Sequence, residues 1–414
     1  MVISRLYRGF KTQIRDDREF SVFLLVGLLL GLAGGIFNSI FPNYLNDFYR
    51  ISEQQRGILE IPRECAGLVV MLVVGALSAL GDVRLSRVSL ILNVAGAFGI
   101  ALLAPRYSVM IVWLFVFSLG QHVFMPLTPK IGMSLSRREN FGARLARYSA
   151  FGLVAGIAGN GIVWVGMRLL HMGYRPLFIS AGVFYLGAAA AIFFMRADKP
   201  DRARPRFVLR KKYALYYALC LTNGARKQIF LTFAPWVLIT VFGVGAPTFA
   251  VLGVIISLVS VGTRTAVGRA IDRLGERAVL TAEAALLVLI CLGYALSGRF
   301  FSAAAAVVII AVCYIIDSSM SVVEMARSTY VRKIASDESD VTPTLAAGTS
   351  IDHIASMSVP ALGGMLWAAT GDYRPVFFVA AGIAVVNIVL TSRIKIGRGG
   401  QGEGAEEPSP MSAG

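Results

Sequence analysis

A chain of 414 residues would ordinarily fold as two or three soluble domains, yet 56% of its residues are hydrophobic, only 15% are charged and the mean hydropathy is +0.68. Soluble proteins carry about 25% charged residues, so disorder, a disulfide scaffold and a soluble nucleic-acid binder are excluded, and an all-α integral membrane protein remains. The four cysteines (Cys65, Cys220, Cys291, Cys313) fall inside apolar stretches and imply no disulfide framework.

A basic leader, residues 1–20, precedes an apolar run of about 25 residues that lacks the short core and cleavage site of a signal peptide. A crossing needs about 20 mostly apolar residues. Twelve spans are predicted: 21–45, 57–81, 85–104, 108–134, 146–170, 175–195, 213–243, 246–270, 278–297, 301–326, 344–370 and 374–394. The most basic stretch, residues 196–212, reads as a cytoplasmic linker between an N-terminal six-helix bundle, 21–195, and a C-terminal one, 213–394. The tail, 395–414, is rich in Gly, Pro and acidic residues without periodicity and is expected to be disordered.

Lys and Arg set the orientation. With the N-terminus inside, 28 of the 40 basic residues lie on the cytoplasmic side and 6 on the other. The remaining 6 lie within spans: Arg63, Lys130, Arg168, Arg226, Lys227 and Arg264. Both termini are therefore expected in the cytoplasm of a multi-pass protein of the cell (inner or plasma) membrane. The +16 net charge is then topogenic, and no nucleic-acid partner is needed to explain it.

The two halves resemble each other. Gly-Tyr-Arg-Pro-Leu-Phe (173–178) opens the sixth span and Asp-Tyr-Arg-Pro-Val-Phe (372–377) the twelfth, placing Tyr174 and Tyr373 199 residues apart. Trp164 and Trp367 are 203 apart, and Asp82 and Asp272 are 190 apart. Duplication of this kind is typical of secondary transporters, whose substrate site lies at the repeat interface near the bilayer midplane. After the eighth span, Gly268-Arg-Ala-Ile-Asp272-Arg273-Leu-Gly275-Glu-Arg277 resembles the G-x-x-x-D-R-x-G-R-[RK] signature of the major facilitator superfamily, with Glu276 departing from the usual basic residue. The first-half loop, Ser78-Ala-Leu-Gly-Asp82-Val-Arg84-Leu-Ser-Arg87, keeps mainly the Asp and the basic residues. Pro360-Ala-Leu-Gly363-Gly364 in the eleventh span is similar to the GPxxGG element linked to antiporters, although in that family the element belongs to the fifth span. The resemblance covers residues 20–395. It implies twelve transmembrane helices arranged as two pseudo-symmetric six-helix bundles. It also implies a cytoplasmic latch in one state, with Asp82, Gly268, Asp272, Arg273, Gly275 and Arg277 as gating candidates; ordinary loop capping is the alternative.

Ionisable groups inside a membrane are functional hypotheses by default, at about 2.5–3.5 kcal/mol each. In the seventh span, Asn223-Gly-Ala-Arg226-Lys227-Gln228 places Arg226 about 20 Å from the cytoplasmic start at 1.5 Å per residue, beyond easy snorkelling. Two adjacent cations point about 100° apart on a helix, so at least one must face a polar cavity. Arg226, with Lys227, Asn223 and Gln228, reads either as a carboxylate- or phosphate-binding fork or as an ion-pair partner of Asp317 or Asp352. Asp317, Asp352 and His353 are the proton-coupling candidates. Burial opposes a charged carboxylate while a neighbouring guanidinium favours it, the competition a proton-coupled carrier uses. Gln121, His122 and Asn38 are further candidate cavity groups, and Pro126 and Pro129 are positioned to free carbonyls toward a cavity. Glu60, Arg63 and Glu64, at i, i+3 and i+4, read as an intrahelical charge cluster or an external gate. Gly31, Gly34, Gly35, Gly152, Gly156 and Gly159 read as close-packing positions.

No Walker motif, metal-ligand spacing or catalytic constellation is present, so no cofactor, metal or enzymatic activity is expected. The sequence predicts a secondary active transporter working by alternating access as a monomer in the lipid bilayer, coupled to protons and moving a small organic anion. The alternatives are a proton-antiport exporter of hydrophobic or cationic compounds and a transport-silent receptor.

Overall fold

A computed structural model of the protein describes residues 18–76, 80–136, 140–196, 209–335, 337 and 340–394. The leader up to residue 17, residues 197–208 of the linker, Ser78 and the tail from 395 lie outside the described residues. Among the described residues every regular element is helical.

α1 (Arg18–Asp47) leads into a turn where Ser52 caps α2 (Glu53–Ile58). The Ser52 hydroxyl accepts from the Gln55 amide, and the Gln55 side chain accepts from the Ser52 amide, so two orphan donors are satisfied reciprocally. α3 (Glu60–Ala76) follows, making the second predicted span two helices broken at Leu59. α4 (Asp82–Leu102), α5 (Tyr107–Ser134), α6 (Phe141–Arg168) and α7 (Tyr174–Phe193) complete the first half. Pro126 and Pro129 do not interrupt α5; they deprive the carbonyls of His122 and Met125 of their helical donors. In the second half, α8 (Ala214–Thr240) precedes α9 (Ala246–Phe300) and α10 (Ala303–Ser319). A 3₁₀ turn (Met320–Val323), α11 (Glu324–Ile334), α12 (Val341–Thr370) and α13 (Arg374–Ser392) follow.

Two expectations, the end of the tenth span and the repeat partner of Asp82, are corrected here. The eighth and ninth predicted spans are the two arms of α9, separate helices that meet at Gly275 with φ 80° and ψ 166°. Only glycine holds that conformation at little cost, and at about 1.5 Å per residue each arm is long enough for one crossing. The tenth span does not end at 326. It breaks into a 3₁₀ turn directly after α10 and resumes to Ile334. Gly81 repeats the Gly275 conformation, with φ 81° and ψ 159°, immediately before α4. The backbone therefore pairs Asp82 with Glu276 rather than with Asp272. Their ion pairs match too: Asp82 lies 3.7 Å from Lys130 on α5, and Glu276 lies 2.7 Å from Lys333 on α11.

Eight helical stretches among the described residues are long and apolar enough to cross a membrane. The elements α3, α8 and α12 are not among them, and these three carry Glu60, Arg63, Glu64, Arg226, Lys227, Asp352 and His353.

In the first half α1 packs on α6 and α7, and α4 on α5 and α7; in the second, α8 packs on α12 and α13, and α9 on α10 and α13. A Cβ at Gly31 would stand 2.2 Å from the Gly152 carbonyl oxygen, and one at Gly35 2.3 Å from that of Gly156, so backbone contact between α1 and α6 requires glycine. The halves meet chiefly in two places, with α2 and α3 against α12, and α1 and α6 against α9. One apolar core, including Phe37, Phe178, Trp236, Phe249, Tyr294 and Phe377, joins both halves near the loops 48–52 and 241–245. Toward the opposite end each half has a separate core, around Phe20, Phe23 and Leu127 in the first and Tyr216, Leu280 and Val323 in the second. There α9 is exposed or half-exposed on every face from Leu258 to Ala266. The halves are thus joined at one end and apart at the other.

Candidate functional site

Three adjoining cavities of about 400, 380 and 310 Å³ share Leu30, Gly34, Asn38, Arg63, Gln121 and Tyr314 in pairs; the first is lined by the first half, and the other two by both halves. Asn38 and Gln121, both sequence candidates, line this space. Its charged lining comes mainly from the α2–α3 segment. Arg56 donates to Glu60 at 2.6 Å, Arg63 approaches both Glu60 oxygens at 3.3 Å, and Gln228 Nε2 donates to Glu60 Oε2 at 2.8 Å. Glu60 is fully buried and Arg56 is 3% exposed, whereas the Arg63 side chain is 34% exposed and lines two of the cavities. Arg63 is the charged lining group with the most open access. An intrahelical reading of the Glu60 cluster describes only part of it, because Glu60 also reaches across to Gln228 on α8 and Glu64 pairs with His353 on α12.

Arg226 and Lys227 are paired with acids within the second half. Arg226 Nη1 is 2.8 Å from Asp317 Oδ1 and its Nη2 is 3.9 Å from Glu283, which also faces Arg327 at 3.8 Å. Lys227 Nζ is 2.5 Å from Asp352 Oδ2, and Asn223 Nδ2 donates to Asp352 Oδ1 at 3.1 Å. α8 and α12 can approach this closely because residue 224 is glycine; a Cβ there would stand 2.4 Å from the Asp352 carbonyl oxygen. Arg226 is 8% exposed and lines none of the three cavities. In this conformation its fork is occupied.

A second cluster crosses the halves. His353 Nδ1 lies 2.9 Å from Glu64 Oε2, and the rings of His353 and His122 are 5.3 Å apart. His122 Nδ1 lies 2.9 Å from the Ser118 carbonyl oxygen, so it carries the proton and Nε2 keeps its lone pair. Ser118 Oγ in turn donates to the Arg63 carbonyl at 2.7 Å. The gating candidates stand apart. Asp272, Arg273 and Arg277 are exposed near the Gly275 bend, one helical turn or two beyond Gly268.

Two contributors escaped the sequence. Arg63 had a local explanation in Glu60, three residues before it. The Glu64–His353 contact joins residues 289 apart, beyond any spacing motif.

A model of the Major Facilitator Superfamily matches residues 23–342. No curated protein matches the chain in sequence. Among solved structures it is similar to a mutant of the nucleoside transporter NupG, with a TM-score of 0.71 at 13% identity over 91% of this chain and 99% of the other. A D-xylose–proton symporter gives 0.67 at 14% identity over 91% and 97%. A bacterial homologue of the human lysosomal transporter Spinster, inward-facing and occupied, gives 0.67 at 15% identity over 92% and 98%. At these identities the likeness is one of fold.

Proposed function

The chain belongs to the major facilitator superfamily and is a membrane transporter rather than an enzyme, and from that premise we propose that it is a proton-coupled, alternating-access carrier of a small organic anion. The observation that carries this reading is Arg63, whose side chain, 34% exposed, lines the cavity of about 400 Å³ in the first half and that of about 310 Å³ between the halves while Glu60 braces it. A guanidinium held at the edge of a low-dielectric cavity binds carboxylate or phosphate bidentately. Residues 21–195 and 213–394 are the two moving bodies. With 28 of 40 basic residues placed inside, both termini are cytoplasmic, and the separated end of the bundles faces the cytoplasm.

Coupling follows from the paired acids. Protonating Asp317 or Asp352 would remove the counter-charge from Arg226 or Lys227, and the released cation becomes a second partner for the carried anion. The aromatic lining from Phe37, Phe117, Tyr185 and Tyr314 favours one alternative, a proton-antiport exporter of hydrophobic or cationic compounds. Thermal stability of the purified carrier separates the two. At about 100 times its dissociation constant a ligand adds about 2.7 kcal/mol. Carboxylates and phosphates at pH 6 and pH 8 are expected to raise the melting temperature of the wild type and not of Arg63→Gln. Stabilisation of both proteins by lipophilic cations, with none by anions, would establish the exporter reading.

A further inference from the structure

Glu64, His122 and His353 take no part in the anion binding or the ion-pair release described above. Each offers one ligand atom, and the three atoms lie within 4.8 Å of one another. We propose that Glu64 on α3, His122 on α5 and His353 on α12 form a binding site for a divalent transition-metal ion of the Zn²⁺ class, assembled only while α3 and α12 are in contact.

Two imidazoles and one carboxylate are the donor set that such ions take, and three protein ligands with one open position is a stable zinc arrangement. Zn–N and Zn–O bonds of about 2.0–2.2 Å in a tetrahedron put neighbouring ligand atoms about 3.4 Å apart. Glu64 Oε2 and His353 Nδ1 stand 2.9 Å apart in a hydrogen bond, so they need part by only about half an ångström to take an ion between them. Binding at His353 Nδ1 moves that proton to Nε2, a change of tautomer without net proton loss. His122 is oriented as a ligating histidine usually is, with its other ring nitrogen held by a backbone carbonyl, that of Ser118. Glu64 and His122 both line the cavity of about 400 Å³, which gives an ion a way in.

Space for the two rings is built into the backbone. A Cβ at residue 67 would lie 2.5 Å from His353 Cε1 and 2.8 Å from His122 Cδ2, so Gly67 leaves room that no other residue would. The neighbouring cations, Arg56 and Arg63, make their closest contacts with Glu60, while Glu64 makes its own with His353. Because Glu64 and His122 belong to the first half and His353 to the second, a bound ion favours this conformation over any in which the halves part at this level.

The test is equilibrium binding of Zn²⁺ and Co²⁺ to the intact, detergent-purified transporter. About one ion per chain is expected, with affinity falling roughly tenfold or more in His122→Gln, His353→Gln and Glu64→Gln. Gly67→Ala, which removes no ligand, is expected to lose binding as well. Absence of stoichiometric binding to the wild type, or retention unchanged in both histidine variants, overturns the site. Should the variants not fold, the wild-type Co²⁺ spectrum decides. Nitrogen and oxygen ligation supports the site, and an intense thiolate charge-transfer band assigns the metal to a cysteine and overturns it.

Discussion

Arg226 and Asp317 make a 2.8 Å ion pair at 9% and 11% side-chain exposure, with Glu283 3.9 Å from the same guanidinium. Removing one partner of a buried pair strands the other charge and costs about 3–5 kcal/mol, whereas replacing both with apolar groups of similar volume is often neutral. Asp317→Leu is therefore expected to unfold at lower denaturant concentration than the wild type, and Arg226→Met in combination with it to recover most of the loss. A double-mutant cycle reads the coupling; simple additivity would show that the pair contributes nothing. That these charges need a polar cavity or a counter-ion was legible in the sequence, because lone ions in apolar spans are costly, and an ion pair to Asp317 or Asp352 was one of the two readings it left open. Which acid serves which cation was not legible. Arg226 and Lys227 are neighbours in the chain, and helix rotation sends one to Asp317 and the other to Asp352.

Helices could be located from hydropathy, since each crossing demands a long apolar run. Their interruptions were only partly legible. The break at Leu59 is marked by Gly57 before it and by Pro62 after it, which has no N–H for the Ile58 carbonyl. The break at Met320–Val323 carries neither Pro nor Gly, and the proline pair of α5 falls inside an unbroken helix. Small-residue packing was readable because glycines recur on α1 and α6, and the separation of their backbones gives it a quantity. Gly35→Ala would bring a methyl group 2.3 Å from the Gly156 carbonyl oxygen, while Gly161→Ala meets nothing within 4 Å. Membrane helices are held largely by such close approach. Gly35→Ala is thus expected to lower the melting temperature and the yield of monodisperse protein, with Gly161→Ala matching the wild type. Equal behaviour of the two would show that α1 can retreat from α6 at little cost.

The shared aromatic core at one end and the separate cores at the other define which surfaces water reaches. Ser39 is 5% exposed and donates to Asn160 at 2.6 Å near the joined end, while Thr265 is exposed on the separated end of α9. In a background lacking the four native cysteines, a membrane-impermeant thiol reagent added from the cytoplasmic side is expected to label Thr265→Cys and to spare Ser39→Cys. Labelling of Thr265→Cys from outside alone would reverse the orientation drawn from the basic residues. The bend at Gly275 bears on the molecule's tolerance of change. Surface connections ordinarily accept inserted sequence because they contain slack. Between the two arms of α9 there is a single non-helical residue and no slack at all. An epitope tag placed there would have to unwind a turn of one arm or rotate it against α13, so this tight corner is expected to be among the least permissive insertion points on the surface.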